Sequence, residues 1–87
     1  MNFSIKRINE EREHFGCYKY RIFNDNVAIA EFWHNYRGEP ELYKDYQSGI
    51  EEDPPFGRCS DFINGGGPKP IELSKSAIKY IESKFVL

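Results

Sequence analysis

The sequence predicts an α+β domain: an antiparallel meander of three to four strands packed against one C-terminal helix. Three observations carry this. Residues 16–36 hold two β-rich runs around an Asn-Asp-Asn turn signal. An earlier β-rich run lies at residues 3–8. A single strong helix signal begins at Ser74. Eighty-seven residues suffice for one domain with one modest core.

The first strand is read at residues 3–8, "FSIKRI", with Phe3 and Ile5 on one side. The polar stretch 9–14 then turns the chain. Asn and Asp tolerate positive φ, so Asp25-Asn26 is expected as a two-residue hairpin loop. Without a bulge, that loop pairs Asn24 with Val27, Ile22 with Ile29, Tyr20 with Glu31 and Tyr18 with Trp33. The expected core face is then Tyr18, Tyr20, Ile22, Val27, Ile29 and Trp33, interrupted by Glu31. The opposite face carries Cys17, Lys19, Arg21, Phe23, Ala28, Ala30, Phe32 and His34.

Pro40 is read as opening a short helix with Leu42, Tyr43 and Tyr46 on one side, ended by Gly49. Pro54-Pro55 blocks helix and central strand alike. Residues 57–63, "GRCSDFI", are expected as a short fourth strand. In the last helix Ser74 is the N-cap, Leu73 and Ile78 occupy staple positions, and Ala77, Ile78, Ile81 and Phe85 form the apolar stripe.

Composition narrows the function classes. Aromatic residues make up 16% of the chain and charged residues 30%, with a mean hydropathy of −0.71. This describes an aromatic-rich polar domain, not a disordered one. The net charge is −2, so no global basic field recruits nucleic acid. The charge is uneven, because residues 39–61 hold seven acidic and two basic side chains. No N-terminal apolar run and no membrane-length apolar stretch is present. A cytoplasmic location and reduced cysteines are therefore expected.

Four features invite a functional reading. Gly65, Gly66 and Gly67 precede the helix, but Pro68 follows where a phosphate loop needs Lys, and Pro70 stands where the dinucleotide fingerprint needs Gly. They are read as a flexible hinge loop, not an anion cradle. Cys17 and His34 would face each other across the hairpin, and Cys59 and His14 complete four ligand types only on paper. No metal, cofactor or catalytic residue is expected from them. Lys19, Arg21, Phe23, Phe32 and His34 form a mixed basic and aromatic face, read as a partner-binding surface. The competing reading packs Phe23, Ala28, Ala30 and Phe32 under a helix or against a second copy. Glu31 is expected to take a hydrogen-bonded structural role, and Glu51-Glu52-Asp53 to form an exposed acidic loop usable as a partner epitope.

These features predict a small non-enzymatic module that binds a protein, with a homodimer compatible. Nucleic acid binding through Lys19, Arg21, Phe23 and Phe32 is the first alternative, and a small enzyme or metal protein around Cys17 and His34 the second.

Overall fold

The computed structural model describes residues 2–8, 18–66 and 69–84. Five antiparallel strands form a meander in sequence order: β1 (Phe3–Arg7), β2 (Tyr18–Asn24), β3 (Val27–His34), β4 (Pro40–Asp45) and β5 (Glu51–Glu52). A 3-10 turn (Cys59–Asp61) leads into a two-stranded hairpin of β6 (Ile63–Gly66) and β7 (Lys69–Leu73). Helix α1 (Lys75–Lys84) ends the described chain. The α+β class and the helix are as the sequence indicates, and the main sheet has five strands, not three or four.

The Asp25-Asn26 turn forms as expected, with φ of 50° and 69°, and it pairs Asn24 with Val27 and Phe23 with Ala28. The register then shifts. Ile22 pairs with Ala30, leaving Ile29 as the extra residue of a β-bulge. A one-residue shift exchanges the faces of everything beyond it. So Arg21 lies opposite Glu31, Tyr20 opposite Phe32, and Tyr18 opposite His34. The expected core face is corrected accordingly. Tyr20 and Ile22 stay inside, but their partners there are Ala30, Phe32 and His34, while Glu31 and Trp33 take the outer face. The bulge moves the one carboxylate off the inner face, which removes the conflict the unbulged register contained.

The expected helix at Pro40 is also corrected: the segment is strand β4. Its side chains alternate, with Tyr43 almost fully buried in the core and Leu42 and Lys44 directed to the other face. Pro40 is tolerated because it is the strand's first residue. Gly49, with φ 74°, makes the turn into β5. The segment 57–63 is a 3-10 turn that only reaches strand geometry at Ile63.

The inner face of the sheet is covered by α1, by the turn residue Phe62 and by the β6–β7 hairpin. Phe62 is fully buried. Its ring stacks on Phe32 with centroids 4.0 Å apart and planes 8° apart, and meets Phe56 edge-on at 5.4 Å. Ala77 and Ile81 bury the helix's apolar stripe, and Tyr80 meets Tyr43 edge-on at 5.0 Å. Ser74 caps the helix: its Oγ accepts from the Ala77 N–H at 3.0 Å and donates to the Asp61 carbonyl at 2.7 Å. Phe85 and Gly67 lie outside the described residues.

Candidate functional site

The five residues of the expected mixed face do not share a face. Phe32 is fully buried and His34 nearly so, both packed on the inner side of the sheet. Of the four residues that the competing reading packs under a helix, Ala30 and Phe32 lie in the buried core cluster, whereas Phe23 and Ala28 do not. Lys19, Arg21 and Phe23 occupy the outer side, where they join Glu31, Trp33 and Tyr46.

Lys19, Arg21, Glu31, Trp33 and Tyr46 form one connected network. Lys19 Nζ lies 3.4 Å from Glu31 Oε1 and 4.8 Å above the Trp33 ring. Trp33 Nε1 donates to Glu31 Oε2 at 3.1 Å, and the Tyr46 hydroxyl donates to Glu31 Oε1 at 2.8 Å. Arg21 Nε donates to the Tyr46 oxygen at 3.2 Å. Burial opposes the charge on Glu31, but the hydrogen bonds from Tyr46 and Trp33 and the Lys19 ammonium outweigh it, so the carboxyl is held below its ordinary range. The strand register extends this into a charged row across the sheet: Lys6, Arg21, Glu31, Lys44 and Glu51 stand side by side. Trp33 is only 7% exposed, so its ring offers no open face for stacking.

The acidic segment is not a free loop. Glu51 sits 3.7 Å from Lys44, while Glu52 accepts the Tyr80 hydroxyl and pairs with Lys84. This ties the sheet edge to the last turns of α1.

On the inner side, His34 is held by two hydrogen bonds. Its Nδ1 lies 2.8 Å from the Asn35 carbonyl oxygen, which can only accept, so Nδ1 carries the proton. Nε2 therefore accepts from the Tyr20 hydroxyl, also at 2.8 Å. The imidazole stacks on the Tyr20 ring at 5.2 Å and lies beside Tyr18 at 5.3 Å. Burial, reinforced by the Arg7 charge, pushes its pKa below the ordinary value against the opposing pull of the Asn35 carbonyl. Cys17, its expected partner, lies outside the described residues, as does His14.

Tyr20 also forms part of the wall of a groove of about 790 Å³. One side of it is β1, through Ile5, Lys6 and Arg7. The other is the β6–β7 hairpin, through Ile63, Gly65 and residues 69–71, and the end is closed by Cys59 and Ser60. Gly65 shapes the hairpin side. It has φ 89° at a bulge in the β6–β7 pairing, and a Cβ there would stand 2.1 Å from the Pro70 carbonyl oxygen. Gly65 and Gly66 are thus strand residues of a hairpin rather than a loop leading directly into the helix. Cys59 is a free thiol, pushed up to about 11 by burial. Tyr20 is pushed up to about 12, by burial first and by the neighbouring Cys59 second. Both shifts run opposite to the activation a nucleophile requires.

The groove was not legible in the sequence. Its walls are far apart along the chain, and only the odd conformation at Gly65 had a local signal. Among the described residues, no three His, Cys, Asp or Glu side chains are grouped to hold a metal ion, and no helix is long and apolar enough to cross a membrane. No protein-family model, curated protein or solved structure matches this chain.

Proposed function

We propose that this chain is a small, non-enzymatic, cytoplasmic module that binds a protein partner through the groove between β1 and the β6–β7 hairpin. The observation that supports it best is the groove's chemistry. It combines an aliphatic floor of Ile5, Ile63 and Ile71 with polar groups at its end and rim, Ser60 and the exposed Lys69, a combination suited to binding and orienting a ligand. The raised pKa values of Tyr20 and Cys59 favour binding over covalent chemistry. The outer face supports nucleic acid binding less well, because Glu31 neutralises Lys19 and Trp33 is covered.

The test is affinity capture from lysate, with and without nuclease, using the wild-type chain and Ile71→Asp. Ile71 is half-buried at the groove wall, so the variant's fold is checked by thermal melting. The expected result is a stoichiometric protein that survives nuclease and is lost with Ile71→Asp. A catch that vanishes with nuclease, or one indifferent to Ile71→Asp, overturns the reading.

A further inference from the structure

We propose that a second concavity, which shares Cys59 and Ser60 with the groove, binds a phosphoryl group between Arg37 and Arg58. It holds about 520 Å³ and is lined by residues 37–39 on one side and 57–60 on the other. One backbone hydrogen bond joins the two sides: the Cys59 N–H donates to the Gly38 carbonyl at 2.5 Å. Arg37 and Arg58 each stand one residue before a partner in that bond. The fold thereby brings two arginines from separate loops to one opening. Both backbones are fixed. The Asn35 side-chain oxygen accepts from the N–H groups of Arg37 and Glu39 at 2.9 and 3.0 Å, and Gly38 completes the turn with φ 78°. On the facing side the Arg58 carbonyl accepts from the Asp61 N–H at 3.0 Å. Loops ordered in advance lose little further freedom when a ligand arrives.

The arginines select the ligand. Arg37 Nε donates to the Tyr36 hydroxyl at 3.1 Å, and the guanidinium carbon lies 5.4 Å from the centre of that ring. This steadies the group and leaves its terminal nitrogens for a ligand. The ion pairs between described residues use Lys19, Lys44 and Lys84, and neither Arg37 nor Arg58. One guanidinium fork satisfies both oxygens of a carboxylate. A second fork and the Ser60 hydroxyl add donors for a third oxygen, which a phosphoryl group has and a carboxylate lacks. Glu39 lines the same opening, and its carboxylate opposes an anion there. The two arginines outnumber it, and its removal should strengthen binding. The site does not depend on what the groove between β1 and the hairpin binds.

The test titrates the full chain with phenyl phosphate, inorganic phosphate and benzoate at low salt and follows the amide resonances. Phenyl phosphate is expected to shift Arg37, Gly38, Arg58, Cys59 and Ser60, and to bind at least about tenfold tighter than benzoate. Inorganic phosphate that competes equally well shows that the free ion suffices, and weaker competition shows a preference for a monoester; both support the site. Arg37→Gln and Arg58→Gln should each weaken binding about fivefold or more, and Glu39→Gln should strengthen it about twofold. Lys79→Gln, an exposed charge change on α1, should leave it unchanged. Affinity should fall as pH drops through about 6, where a phosphate monoester takes up its second proton while the arginines stay charged. Thermal melting of each variant checks the fold. Benzoate binding as tight as that of phenyl phosphate, or binding indifferent to both arginine variants, overturns the proposal. So do shifts confined to the groove residues Ile5, Tyr20 and Ile71, or no shift at about 10 mM phenyl phosphate.

Discussion

Tyr20 donates its hydroxyl to Nε2 of His34 at 2.8 Å, across the diagonal of two neighbouring strands and within the buried side of the sheet. The pair places a neutral imidazole where protonation would lose an acceptor and bring a positive charge beside Arg7. The folded state therefore binds this proton more weakly than the unfolded chain, whose His titrates near pH 6.5. Stability contributed by neutral His34 is complete above about pH 6.5 and is lost as pH falls from there toward the depressed folded value. Urea unfolding between pH 7.5 and 5 is expected to show this decline, and His34→Gln should flatten it. An unchanged slope in the variant would assign the decline to other groups.

Glu31 acts in a lower window. Its folded pKa is depressed, so its stabilisation is present above the ordinary carboxyl value of about 4.3 and is lost as pH falls below it. Glu31→Gln leaves the Lys19 ammonium without its partner and weakens the acceptor for Tyr46 and Trp33. The expected cost at pH 7 is about 1–2 kcal/mol, shrinking below pH 4. A variant as stable as wild type at pH 7 would show that the network contributes no net stability.

Phe62 lies under the sheet, face to face with Phe32 and edge-on to Phe56. Phe62→Ala empties a fully buried site bounded by several rigid rings, so the loss should be about 3–5 kcal/mol in chemical denaturation. A loss under about 1 kcal/mol would mean that the core refills the space.

Gly65→Ala should cost about 2 kcal/mol or more, since the new methyl would meet the Pro70 carbonyl at 2.1 Å from a backbone at φ 89°. Gly57→Ala is the control. A Cβ there meets nothing within 4 Å, so the change is expected within about 0.5 kcal/mol. Thermal melts of both variants make the comparison, and equal melting temperatures would contradict the hairpin geometry.

Glu52 fastens the β5 edge to α1 through Tyr80 and Lys84. The carboxylate is partly exposed, so Glu52→Gln should cost only about 0.5–1 kcal/mol, and the difference should fade at high salt. Hydrogen exchange at the C-terminal turn of α1 is the sensitive readout, and protection equal to wild type would show that the tether does not hold the helix end.

What the sequence determined by itself was local. The Asp25-Asn26 turn needed only two residues that accept positive φ. The helix needed only the Ser74 cap and an apolar stripe at helical spacing. Both follow from backbone sterics and hydrogen bonding within a few residues, so both could be read directly. Glu31 also carried a usable signal, because a carboxylate interrupting a predicted core face argued against that register. Tertiary structure decided the rest. The bulge at Ile29 puts Ala30 and Phe32 on the inner face, where Phe32 stacks on Phe62, some thirty residues distant in sequence. Pro40–Asp45 becomes strand because β3 is there to pair with it, which overrides a helical reading of Leu42, Tyr43 and Tyr46. The groove exists only where β1 and the β6–β7 hairpin come together. Register and concavity are properties of distant segments packed against each other, and no local pattern of side chains contains them.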